Sequence, residues 1–369
     1  MVIIVAVVMA LVVAIAQKKL FARYWNRRLD VKLRFAAPSV QQGDRAVLRE
    51  IITNAKRLPL PTLQVKFTTS ASLLFSRETN AVTTDLYYRM DLFSVGAGKK
   101  IVRELPFVAS RRGYYQIDSL DVLARDYLLM SQCSERRANE TSLYVYPAKV
   151  DTRAFDLIYR QMRGEQTARK RMEEDPFAFR GIRDYRGTDS MRRVNWKQSA
   201  AQGKLLVNLY ESTSSQTVRL ILDLSCHDTF HRRKVQEYCI SLASSLAARL
   251  LHSGIAVSMD SNGCDVVDGR QICLPSGANR GHMESLDRAL ARIDLEQQTP
   301  DLMPQMQQWF EEDEGMAYTV WITAYFGEPQ AAQMRQWRRD GVQIFAVVPF
   351  TVGHEPEAGD GVLPWEIRA

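Results

Sequence analysis

The chain has 369 residues, 46% of them hydrophobic and 25% charged, with a formal net charge of +7. That length exceeds one ordinary core and the composition is that of a folded protein, so a disordered or collagen-like chain is excluded and two soluble domains are expected. Five cysteines without a CxxC pair argue against a disulfide framework or a thiolate zinc site, and five histidines without HExxH argue against a zinc protease of that type.

Residues 1–16, MVIIVAVVMALVVAIA, carry no charge and no helix breaker, and QKKLFARYWNRR follows at once. The run is slightly short for a hydrocarbon core of about 30 Å, but Gln17 and snorkelling Lys18 and Lys19 complete the span. Lys18, Lys19, Arg23, Arg27 and Arg28 all follow the apolar run. The positive-inside rule therefore predicts a single pass through the inner membrane, with the N-terminus outside and the rest of the chain in the cytoplasm. Tyr24 and Trp25 fit an interfacial aromatic belt. A cleaved signal peptide is the rival reading because Ala14-Ile15-Ala16 resembles a cleavage site, but the basic flank follows the apolar run where a signal peptide has it before.

From residue 30 to 150, short alternating apolar runs such as VKLRF, TLQVKFTT, KKIVRELPFV and TSLYVYP recur with turn punctuation. This pattern predicts an Ig-like β-sandwich. Residues 151–176 are charged and lack apolar spacing, as a solvated linker would. From 217 to 352, strands such as TVRLILDLS and AYTVWITAYF alternate with helical runs, the pattern of a doubly wound α/β domain with a mostly parallel sheet. Residues 353–369 read as a loop-like tail.

Between these parts lies FAFRGIRDYRGTDSMRRVNWKQSAAQGKLLVNLYE, the core of a segment spanning 177–216. Asp189 or Ser190 is expected to cap a helix over 191–201, Gly203 to stop it, and KLLVNLYE to form a strand. Arginines at a helix start favour an anion or an acidic partner. The alternative is internal: arginines paired with Asp184, Asp189 and Glu211 would stitch the segment to its domain while Trp196 fills an interdomain gap. The basic stretch 160–197 also raises an anionic surface or nucleic acid as partner, although Glu165, Glu173, Glu174, Asp175 and the later acids weaken that field and make nucleic acid the poorer reading.

The residues Arg180, Arg183, Tyr185, Asp189, Arg192, Trp196 and Ser199 resemble the signature of the bacterial family called domain of unknown function 58. RRGYYQIDSLDVLARDYLL, residues 111–129, is similar to a second segment of that family, with Asp126-Tyr127-Leu128-Leu129 where the family has Asp-Pro-Phe-Gly. The resemblance implies a von Willebrand factor A-like α/β domain and, as partner, a MoxR-type AAA+ ATPase. It also implies a divalent-cation site opening with Asp-x-Ser-x-Ser, of which Asp223 and Ser225 are present and the last serine is His227. Thr323-Ala324-Tyr325 lacks the aspartate common at the end of a later strand, and no threonine lies between Thr229 and Thr299 for the middle loop. The expectation is therefore no cofactor, with magnesium only through a degenerate site. Neither GxSxG nor a P-loop motif is present, so no catalytic residue is assigned and a metal-dependent enzyme ranks last. The sequence reads as a membrane-anchored, cytoplasm-facing protein-interaction adaptor.

Overall fold

The computed structural model describes residues 1–75, 81–150, 155–156, 159–160, 164, 179–186, 191, 194–210, 217–226, 232–297, 299–312, 318–351, 356 and 359–367. They form two compact units, one of Met1–Ala148 with Asp287–Ile293, the other of Lys149–Leu286 with Asp294–Ala369. The molecule is α+β, with a strand-rich N-terminal region behind an apolar helix.

Helix α1 (Val2–Tyr24) is apolar enough to cross a membrane over Ile3–Tyr24, with a mean hydropathy of 2.2. Its large apolar side chains from Ile3 to Ile15 stand exposed, which in water would be costly and in lipid is not. Its end behaves differently. Phe21 and Trp25 are buried in the core of the first unit, so Trp25 is a core residue rather than part of the expected interfacial belt. Tyr24 instead lies under the Arg27 guanidinium, 4.7 Å from its ring centroid.

The first unit holds β1 (Leu29–Phe35), β2 (Ser39–Gln41), β3 (Arg45–Asn54), β4 (Leu60–Ser70), β5 (Leu73–Phe75), β6 (Ala81–Thr83), β7 (Leu86–Val95), β8 (Lys100–Ala109), β9 (Gly113–Arg125) and β10 (Gln132–Tyr146). They make a four-stranded sheet, β1-β3-β8-β5, and a six-stranded sheet, β2-β10-β9-β4-β7-β6. The sheets share one core, built by the period-2 alternation that sends every second residue inward, for example Leu48, Ile52, Val65, Phe67, Phe93, Leu105 and Phe107. All five cysteines are free, so no disulfide holds this unit.

One inward stretch is charged. Arg89 pairs with Asp91, both essentially without solvent exposure, and Arg103 reaches the same carboxylate at 2.8 Å. Glu50, 1% exposed, stands beside them. Burial first, and the nearby Asp91 charge second, push its carboxyl up to about 8, against the opposing pull of Arg89 and Arg103.

The second unit opens with β11 (Phe179–Asp184), α2 (Trp196–Gln202) and β12 (Leu206–Tyr210), where β11 and β12 pair antiparallel. Then follow β13 (Thr217–Asp223), α3 (Arg232–His252), β14 (Ala256–Asp265), β15 (Gln271–Gly277), α4 (Arg280–Ala291), β16 (Ile293–Asp294), α5 (Met303–Glu312), β17 (Tyr318–Thr323), α6 (Glu328–Arg339), β18 (Ile344–Phe350) and β19 (Val362–Glu366). The sheet order is β15-β14-β13-β17-β18-β19, with β16 attached to β14. Every pair from β14 to β19 is parallel, and β15 returns antiparallel after a turn whose Gly269 adopts φ +69°. Strands β17 and β18 are buried along almost their whole length, and β13 from Leu220 onward, as strands of a parallel sheet with helices on its faces are. Ile221 and Trp321 pack on one face with Met306 of α5 and Met334 and Trp337 of α6. The stretch expected to be a tail supplies β19, hydrogen-bonded along β18, with Trp365 buried; its alternation over five residues was too short to separate a strand from a loop.

Candidate functional site

The signature segment is tied down by its polar residues. Helix α2 starts at Trp196, later than the 191 start expected, because an isolated β-bridge joins Val194 to Val207 and holds the preceding chain against β12. Asn195 is the cap: its Oδ1 accepts from the Gln198 N–H at 3.1 Å while its Nδ2 donates to Asn208 at 2.8 Å. Gly203 ends the helix with φ +66°, as expected of a left-handed stop. Ser199 is buried, and its Oγ accepts from the Leu206 N–H at 2.9 Å, locking the helix to β12.

The other signature positions divide. Arg183 donates to the Asp184 carbonyl at 3.0 Å, and Asp184 pairs with Lys204 at 2.7 Å. Tyr185 donates its N–H to the Leu205 carbonyl at 2.9 Å. Asp189, Arg192 and the Arg180 side chain lie outside the described residues. Trp196 is 60% exposed, with Ile182, Met191 and Leu205 exposed on the same segment. A helix that opens at Asn195 directs its first residue outward, since Ser199 and not Trp196 takes the inward position.

The second candidate lies at the C-terminal ends of β13 and β17, where the order of the sheet reverses, the usual place for a binding crevice in an open parallel sheet. A cavity of about 360 Å³ opens there, with Asp223, Ser225, Arg232, Thr299, Asp301 and Tyr325 on its walls. Asp223 and Ser225 are brought together as the sequence reading proposed. The Asp223 carboxylate is 4% exposed. Burial pushes its pKa up, and hydrogen bonds from Ser225, Asn262 and Thr323 pull it back.

Asn262, fully buried within β14, organises this site. Its Oδ1 accepts from the Leu224 N–H at 2.8 Å, which fixes which way the amide points. Its Nδ2 then lies 2.9 Å from Asp223 Oδ1, 3.0 Å from Ser225 Oγ and 2.9 Å from the Pro300 carbonyl. Thr323 Oγ1 is 3.2 Å from the other Asp223 oxygen, and the Ser225 N–H donates to Oδ1 at 2.9 Å.

A hard cation asks for such an oxygen set, a carboxylate, a hydroxyl and a carbonyl around one point. Here an amide nitrogen takes that point, its two N–H groups shared among the three oxygens. The donor set therefore does not fit a divalent cation while Asn262 holds its place, and among the described residues no group of three or more histidine, cysteine or acidic side chains offers another. Thr299 reaches the site and donates to the Leu224 carbonyl at 3.3 Å. Neither it nor Asn262 stands in a spacing that marks it in one dimension. His227 lies outside the described residues.

Residues 181–350 match the family model described as "Protein of unknown function DUF58". No curated protein matches the chain. Among solved structures, the chain is similar to a CARDB domain from Pyrococcus furiosus described in complex with di-metal ions, at 13% identity and TM-score 0.22, over 32% of this chain and 90% of that one. It is also similar to a non-cellulosomal cohesin from Archaeoglobus fulgidus, at 11% identity and TM-score 0.23, over 31% of this chain and 91% of that one. A PapD-like domain of human CEP192 gives 12% identity and TM-score 0.18, over 32% and 87%.

Proposed function

The chain belongs to the DUF58 family through residues 181–350, and from that premise we propose that it is a membrane-anchored, cytoplasm-facing protein-interaction adaptor working with a MoxR-type AAA+ ATPase. In this reading α1 is the anchor, the two sheets of the first unit are an Ig-like β-sandwich, and the parallel sheet with its helices is a von Willebrand factor A-like domain. The basic residues that follow the apolar run support the orientation.

The observation that carries the reading is the exposure of Trp196. A tryptophan 60% exposed beside exposed Met191 and Leu205, on a segment whose asparagine and serine are spent holding it rigid, has the character of an interface anchor. The Asp223 site supports binding over chemistry because, among the described residues, its acid, hydroxyls and amide are engaged with one another and no base stands poised beside a nucleophile.

The test uses the full chain in detergent with the cognate ATPase. Wild type is expected to co-purify with it and alter its ATP hydrolysis, and Trp196→Ala to weaken binding by roughly thirtyfold, the loss of one anchor residue. Absence of both effects in the wild type refutes the proposal. Equal binding by a folded Trp196→Ala variant places docking elsewhere than the signature.

A further inference from the structure

The first unit has two ends, and their chemistry differs. Strands β1, β4, β8 and β10 begin, and β3, β7 and β9 finish, at the end where α1 enters, as the pairings Leu29 with Asn54, Thr53 with Lys100, Leu60 with Val95 and Arg125 with Gln132 require. The connecting loops bond to one another. The Ala55 N–H donates to the Arg28 carbonyl at 3.0 Å and the Gly98 N–H to the Lys56 carbonyl at 3.1 Å. Lys56 Nζ donates to the Trp25 carbonyl, and the Tyr127 hydroxyl reaches the Pro59 carbonyl at 3.4 Å. Buried Phe21 and Trp25 fix the root of the helix into the same core.

On this end the β9–β10 turn presents four consecutive apolar residues, Tyr127, Leu128, Leu129 and Met130, between 50% and 65% exposed. Leu129 adopts φ +55°, a left-handed conformation unfavourable for a branched side chain, and is held there by its N–H bond to the Asp126 carbonyl at 3.1 Å. Strain is thus accepted in order to show leucine to the surroundings. Arg27, Arg28, Arg57 and Lys99 stand exposed in the neighbouring loops. The one acid in these loops, Asp126, is buried and accepts from the Ser131 N–H.

We propose that this end is a membrane-docking surface: residues 127–130 enter the interfacial layer of an anionic bilayer while Arg27, Arg28, Arg57 and Lys99 meet its headgroups. The inference rests on the reading of α1 as an anchor, which places a bilayer at this end and no other. Exposed apolar side chains buried at the headgroup boundary, ringed by cations, are the physical makings of interfacial binding. The unit is then seated on the membrane at two points, helix and loop, and its attitude to the bilayer is fixed.

The experiment places a photoreactive benzoylphenylalanine at Leu129, at Leu74 on the far end of the unit, or at Val8 within α1, in the full chain reconstituted into vesicles of phosphatidylcholine with or without phosphatidylglycerol. Lipid adducts are counted by mass spectrometry. The yield at position 129 is expected to exceed that at 74 by about tenfold, to fall severalfold without the anionic lipid, and to fall similarly in Arg27→Glu/Arg57→Glu/Lys99→Glu. Adducts at 8 with no more at 129 than at 74 overturn the docking surface and leave the anchor standing. Adducts at 129 without any at 8 support the surface and sink the anchor, and none at either position refutes both. Equal yields at 129 with and without anionic lipid overturn the headgroup part.

Discussion

Replacing Asn262 by aspartate tests how the site at the end of β13 is held. The carboxylate keeps one oxygen for the Leu224 N–H and puts the other where Nδ2 stands, 2.9 Å from Asp223 Oδ1, 3.0 Å from Ser225 Oγ and 2.9 Å from the Pro300 carbonyl. Two carboxylate oxygens at that separation repel by about 6 kcal/mol at an effective dielectric near 20. Proton uptake limits the cost, since a carboxyl with an ordinary pKa near 4 is held protonated at pH 7 for about 4 kcal/mol. N262D is therefore expected to melt roughly 10 °C below wild type at pH 7 and to approach it near pH 4.

The same substitution completes an oxygen set for a hard cation. Magnesium at a hundred times its dissociation constant then restores about 2.7 kcal/mol, while the wild type, with an amide already in that place, gains nothing. Thermal unfolding of the full chain in detergent, with magnesium or with a chelator, reads both effects. A wild type stabilised by magnesium as much as the variant, or a variant indifferent to it, refutes the reasoning.

Glu50 gives a pH dependence with a definite sign. Its carboxyl lies at about 8 in the fold against 4.5 ordinarily, so its contribution is fully present below 4.5 and is lost as pH rises to about 8, at roughly 1.4 kcal/mol per unit. Urea unfolding of Glu50→Gln beside wild type should show the wild type losing stability relative to the variant across that window, and parallel curves would refute the burial argument. Ser199→Ala leaves the buried Leu206 N–H without its acceptor and is expected to cost about 1–3 kcal/mol. Fluorescence of Trp196 should then become more mobile, and unchanged stability would show that α2 is held by other contacts.

Much of this fold was written in one dimension. Sixteen uncharged residues without a helix breaker before a basic cluster read as a helix long and apolar enough to cross a membrane. Alternation through 30–150, the largely apolar runs from Thr217 and Tyr318, and Gly203 after a helical segment determine strand, strand and helix stop because each pattern needs only near neighbours. The pairing of Asp223 with Ser225 was legible for the same reason: two residues apart at a strand end, they meet locally.

What depended on distant residues was hidden. Trp25 reads as an interfacial aromatic until the core of the first unit takes it in, and α2 starts late, at Trp196, because a bridge between Val194 and Val207 holds the chain before it. Asn262 and Thr299 reach Asp223 and the neighbouring Leu224 from 39 and 75 positions away, across strand and loop. A parallel sheet joins strands through crossovers, so the chemistry at its edge comes from residues that sequence spacing keeps apart and only the tertiary fold assembles.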